Sequence, residues 1–255
     1  MSKNNYTISE SYTLPSKGLI YEKPIDPTFT VRSMTTAEEM KRLSPTETPY
    51  KVMSEIIEDC LTKKLEVPVY DLYLGDYQYL LFKLRTVTYG PQYKMAIQCP
   101  NCGEVTVSTV DLDGLSVTEY DESIHELKMV HLPQSDKKIE LKLQTPRIVE
   151  EIATKTKELK KRLKDTTVDP TLIITLQSII KTVDGQVLNP VALESFVRKL
   201  PMKDANLLLQ ISKKLNGKVG LDNEVVCKCG SCGYDVVTTF RYTSEFFGPT
   251  VDWRW

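Results

Sequence analysis

Two copies of one five-residue phrase, half a chain apart, constrain this sequence more than any other feature. Cys99-Pro100-Asn101-Cys102-Gly103 and Cys229-Gly230-Ser231-Cys232-Gly233 share the pattern C-x-x-C-G. Two residues between the cysteines let a tight turn aim both sulfurs at one point, and the glycine after the second cysteine supplies the positive φ that closes the turn. Two such turns offer four thiolates, the closed tetrahedral set of a structural zinc ion. Zinc ribbons usually keep their pairs about 15 to 20 residues apart. The much longer separation here therefore predicts a block of chain inserted between the two halves of one zinc element.

The surroundings of the cysteines support a metal over a disulfide. Met1 to Thr7 is polar and lacks the apolar core of a signal peptide, and no run nears the roughly 18 to 20 apolar residues that cross a bilayer. The chain is expected to stay in a reducing cytoplasm, where clustered cysteines are metal ligands more often than disulfides. A redox-active C-x-x-C is the alternative, but it has no need of a matching second copy. Cys227 lies two before Cys229, so in a strand both sulfurs face one way, and a C-x4-C grip by Cys227 and Cys232 stays open. Cys60 falls on the apolar face of a helix and reads as a small buried residue.

Periodicity divides the rest. Residues 1–34, with Pro15, Gly18, Pro24 and Pro27, read as an extended arm ending in a strand at Phe29 to Arg32. Residues 35–90 read as helical: a short helix capped by Thr35 or Thr36, one from Thr48 with Pro49 in its first turn, and one from Asp71 to Tyr89 stopped by Gly90. A zinc-ribbon-like β region takes 91–145 and 220–245. It has strands at Tyr93–Gln98 and Val105–Val110, a hairpin of His125–Leu132 with Lys138–Leu143, and strands near Glu224–Cys227 and Asp235–Thr243. Residues 146–219 are the inserted helical block, with stripes at Ile148, Ile152, Leu159 and Leu163 and at Leu172, Leu176, Ile179, Ile180 and Val183. An aromatic tail, 246–255, closes the chain. The expected class is α+β.

Enzyme signatures are absent: there is no G-x-S-x-G, no P-loop and no G-x-G-x-x-G. The only two histidines, His125 and His131, have no metalloenzyme context. A closed four-thiolate site offers no open position for water or substrate, which points to architecture and away from catalysis. The net charge of -1 gives no global attraction to nucleic acid or an anionic membrane. The basic run Lys155, Lys157, Lys160, Lys161, Arg162 and Lys164 keeps a zinc-ribbon nucleic-acid-binding factor as the alternative function. Phe246, Phe247, Trp253 and Trp255 are expected to dock on a partner, as aromatic anchors do, with packing on the chain's own core as the competing reading.

Three short segments carry a family resemblance. Leu14-Pro15-Ser16-Lys17-Gly18-Leu19-Ile20-Tyr21 resembles the LPS-x-G-x-x-Y opening of baseplate-hub assembly proteins of contractile-tailed, T-even-like bacteriophages. Leu84-Arg85-Thr86-Val87-Thr88-Tyr89-Gly90, followed by the first C-x-x-C-G, is similar to their LR-x-x-x-YG segment. Ser244-Glu245-Phe246-Phe247-Gly248-Pro249 is similar to their FF-x-P close. The resemblance implies a non-enzymatic structural or assembly protein of a phage tail baseplate, stapled by one structural zinc. It implies other baseplate and hub proteins as partners, with self-association inside the baseplate left open and no membrane partner. It also implies assembly in the host cytoplasm, and leaves open whether the protein remains in the virion tail.

Overall fold

The computed structural model describes residues 7–162, 169–240 and 244–247. Expectations that fall on Leu163, Lys164, residues 241–243, Trp253 and Trp255 lie outside them.

The N-terminal arm is a hairpin: β1 (Ser9–Thr13) pairs antiparallel with β2 (Thr28–Arg32). The loop between them is pinned at Gly18, whose φ is +71° and where a Cβ would stand 2.0 Å from the Ile25 carbonyl oxygen. Only glycine fits there. Thr35 and Glu38 form a capping box at the start of α1 (Thr36–Leu43). Pro49 opens α2 (Pro49–Cys60), but Thr48 makes no side-chain cap. Glu150, a hundred residues on, takes that place by accepting from the Tyr50 N–H at 2.8 Å.

Helix α3 (Leu74–Tyr89) is the axis of the molecule and is buried on nearly every side, polar residues included. Asp76 in its first turn is fully buried. Its carboxylate accepts from the Ser16 N–H at 3.0 Å and the Tyr21 hydroxyl at 2.6 Å, so the segment from Leu14 to Tyr21 caps this helix. Gly90, at φ +85°, ends it with an N–H bond to Thr86.

Two hairpins follow, separated by half the chain. The first is β3 (Gln92–Gln98) with β4 (Val105–Asp111). After it come β5 (Val117–Thr118), α4 (Ser123–Lys128), β6 (Met129–Leu132), β7 (Lys137–Leu141), α5 (Pro146–Arg162), α6 (Thr171–Ile179), β8 (Ile180–Val183), α7 (Pro190–Lys199), α8 (Met202–Asn216) and β9 (Gly220–Leu221). The second hairpin is β10 (Glu224–Lys228) with β11 (Asp235–Thr239). The architecture is α+β, as expected from the sequence.

Two local expectations are corrected. His125 to Lys128 is helical, not strand, because Asp121 accepts from the Ser123 N–H at 2.7 Å and starts a turn there. Ile180 to Val183 is a strand, not the end of a helix: it pairs with β7 to complete the sheet β6-β7-β8. Ile180, Thr182 and Val183 are β-branched, and this composition, with apolar residues at both ends, suits either element and is decided by a free strand edge.

The segment between the two hairpins mixes helix and strand. Its own core joins Ile124, Val130, Leu132, Ile139 and Leu141 to the apolar faces of α6 and α8. The other core joins β2, α2, α3 and the two hairpins. Short strands β5 and β9 pair antiparallel. Backbone meets backbone just before β9: a Cβ on Gly75 would lie 2.1 Å from the Val219 carbonyl oxygen. The Tyr73 hydroxyl donates to the carbonyls of Leu215 (3.2 Å) and Asn216 (2.9 Å), tying the insertion to the start of α3.

Candidate metal centre

Each C-x-x-C-G phrase is the tip of one hairpin, and the two tips are built alike. The Cys99 N–H donates to the Glu104 carbonyl and the Gly103 N–H to the Cys99 carbonyl, both at 2.9 Å. In the second tip Cys229 bonds to Tyr234 and Gly233 to Cys229, again both at 2.9 Å. Gly103 and Gly233 have φ values of +78° and +72°, and a Cβ on either would meet nothing within 4 Å. Conformation, not space, requires glycine at both.

The tips face each other. The sulfurs of Cys99, Cys102, Cys229 and Cys232 all lie within 4.8 Å of one another. Cys99 Sγ is 3.6 Å from Cys232 Sγ, and Cys102 Sγ is 3.7 Å from Cys229 Sγ. These distances are too long for disulfides, whose sulfurs sit about 2.05 Å apart. A tetrahedron of thiolates at about 2.3 Å from a central ion has edges of about 3.8 Å, so the spacing fits a metal. Four cysteines so arranged can hold a metal ion, and they fill every tetrahedral position with protein sulfur.

The electrostatics favour thiolates at one tip. N–H groups of Cys232 and Ser231 point at Cys229 and bring its pKa down to about 6. The Tyr234 N–H, and then the Asn101 side chain across the gap, lower that of Cys232. At Cys102 the Glu104 N–H pulls the same way, but burial and the three neighbouring sulfurs outweigh it and push the thiol up to about 12. Four sulfurs in contact cannot all ionise without a cation among them.

Cys227 stands apart from this cluster. It is buried in the β10–β11 hairpin opposite Val236 and belongs to the core around α3. Cys60 is buried as well, on α2. Asn101 escaped sequence reasoning; its Nδ2 lies 3.7 Å from Cys232 Sγ, and its place in the turn of the opposite knuckle is the only signal that marked it.

The remaining candidate residues are dispersed. Phe246 and Phe247 are buried, with the Phe246 ring 4.8 Å from Phe82, 5.4 Å from Tyr93 and 5.3 Å from Phe247. Both rings are committed to the chain's own core, so neither is free as an exposed anchor. His125 Nε2 sits 2.8 Å from the Tyr120 hydroxyl, and His131 faces Asp136 at 3.5 Å. On the basic face of α5, Lys155 pairs with Glu151, Lys157 with Glu47 and Lys160 with Asp169.

A protein-family model described as T4 bacteriophage base plate protein matches residues 6–248. No curated protein and no solved structure matches the chain. The family match runs through the N-terminal hairpin, the central helix, both cysteine tips and the whole insertion, and on that extent the chain belongs to the T4 bacteriophage base plate protein family.

Proposed function

We propose that this protein is a zinc-stapled adaptor of the phage tail base plate, with no catalytic role. As a base plate protein it is a structural component of a phage tail, and other base plate proteins are its partners. The observation that carries the finer reading is the meeting of four sulfurs within 4.8 Å at two hairpin tips. One zinc ion there would close the chain on either side of the insertion into a single rigid body. Without the ion, each tip is a two-stranded hairpin, an element of marginal stability on its own. The metal's role is to fix the angle between the hairpins, and hence the outer surface that neighbours meet.

The tail beyond Phe247, with Trp253 and Trp255, is the proposed docking segment. Large aromatic side chains left in water would each forgo about 1.5 to 3 kcal/mol of burial, so a segment bearing two is suited to a partner's surface.

Zinc analysis and assembly test the reading together. The purified chain is expected to carry about one zinc per molecule, bound by sulfur alone. The Cys102→Ser/Cys232→Ser protein should lose the metal and fail to enter a base plate subcomplex. Normal assembly by a metal-free variant would refute the stapled-adaptor function.

A further inference from the structure

We infer that the cleft beside β7 binds a carboxylate side chain of a neighbouring base plate protein. The identity of the partner rests on the proposed function; the carboxylate site does not. The cleft has a volume of about 420 Å³ and is lined by Tyr21, Tyr73, Leu141 and Leu143 among others. Its charged lining is three lysines, Lys128, Lys142 and Lys181, and three acids, Glu22, Asp71 and Glu140.

The acids are mostly engaged. Arg147 holds Asp71 through two bonds, at 2.5 and 2.8 Å. Lys181 (3.0 Å) and the Thr182 hydroxyl (3.3 Å) hold Glu140. Glu22 is exposed. Among the described residues no carboxylate forms an ion pair with Lys128 or Lys142. Lys128 is half-buried at the end of α4, and burial first, then the Lys181 charge, lower its pKa. The Glu140 charge opposes these more weakly, so the cleft keeps two ammonium groups partly out of water with no ion pair of their own among the described residues, an arrangement that an incoming anion relieves.

The walls narrow the class of anion. Tyr21, Leu143 and Ile148, which are only partly buried, present apolar surface in the same lining as the ammonium groups. A free inorganic ion gains nothing from that surface. A glutamate or aspartate flanked by apolar residues gains from both, so charge and surface together select an acidic peptide segment.

The test uses the full-length zinc-loaded chain and the peptide acetyl-Leu-Glu-Leu-amide. Its glutamine counterpart and inorganic phosphate are the comparisons, and the readout is the side-chain ammonium resonances of Lys128 and Lys142. The glutamate peptide is expected to move both signals saturably and to raise the Lys128 pKa, while the glutamine peptide does neither. Lys128→Gln/Lys142→Gln should bind at least roughly tenfold more weakly, each lost charge-assisted bond accounting for such a factor. No saturable response, an equal response to the glutamine peptide, or unchanged affinity in the double variant would each overturn the site. Phosphate binding as tight as the peptide's would overturn the peptide assignment in favour of a free anion. None of these readouts depends on base plate assembly, so failure of the site and failure of the adaptor function are separable.

Discussion

The Arg85 Nε donates to the Phe246 carbonyl at 3.3 Å, joining the central helix to a segment 161 residues further along the chain. The same guanidinium donates to the carbonyls of Gly90 and Gln92 and lies over the Tyr89 and Tyr93 rings. It is fully buried. Arg85 thereby meets three backbone carbonyls at the point where α3 ends, the first hairpin begins and the last described turn returns. The LR-x-x-x-YG and FF-x-P phrases are two halves of this one contact.

Removing the guanidinium should therefore be costly out of proportion to one side chain. Arg85→Met keeps most of the volume but strands the carbonyls, and is expected to lower the free energy of unfolding by on the order of 3 kcal/mol or more. Arg85→Lys should recover only part, because an ammonium cannot span all three carbonyls as the planar fork does. Urea unfolding of the three proteins measures this. Equal stability of Arg85→Met and the parent would show that the carbonyls find other partners.

The cysteines give a sharper discrimination. Cys229→Ser is expected to remove zinc, since Cys229 occupies one corner of the sulfur cluster. Cys227→Ser is expected to keep it, because Cys227 is buried within its own hairpin; the cost there is a polar hydroxyl in the core, about 1–3 kcal/mol. Metal content by elemental analysis, with the melting temperature alongside, separates them. Zinc lost from Cys227→Ser and retained by Cys229→Ser would mean that a C-x4-C loop grips the ion.

Acid should loosen the N-terminal region through Glu38. Burial alone would raise its pKa, but the Arg32 guanidinium at 2.6 Å and the Thr35 N–H at 2.7 Å outweigh it and bring the carboxyl from 4.5 to about 2. A folded-state pKa below the unfolded one adds stability above about 4.5, and that stability is lost as the pH falls through about 2. Asp76 acts in the opposite sense: burial raises its pKa, so its contribution is lost as the pH rises. The difference between the parent and Glu38→Gln isolates the first effect. It is expected to be constant above about 4.5 and to shrink towards about 2. A difference that stays flat through that window would rule out the ion pair as the source.

What the sequence disclosed and what it hid divide along a physical line. Local signals were legible: the helix start at Thr35, Pro49 at another, and the paired knuckles. Each depends on residues within a few positions of one another. The buried charges were not legible. Asp76, Arg85 and Glu150 look like ordinary surface residues of amphipathic helices, and their partners are Ser16 and Tyr21, Phe246, and Tyr50 and Tyr70. No local pattern announces a partner that distant. Likewise the strand at Ile180 to Val183 exists because β7 offers an edge, a fact of tertiary structure alone.

The C-terminus can now be cut at a defined place. Phe246 and Phe247 are core residues, and the segment 248–255 lies outside the described residues. The two truncations should therefore behave differently. Ending the chain after residue 245 removes two buried rings and the carbonyl that Arg85 holds; replacing even one buried phenylalanine with alanine costs about 3–5 kcal/mol. That protein is expected to melt far lower and to aggregate. Ending it after residue 247 keeps the core contacts, so the product should remain folded and keep its zinc. If Trp253 and Trp255 dock on a neighbour, it should nonetheless fail to enter a base plate subcomplex. Calorimetry, metal content and co-sedimentation with base plate proteins read the three properties separately. Full assembly by the chain ending at 247 would remove the tail from the docking surface, and a large loss of stability on the same cut would make residues 248–255 part of the fold.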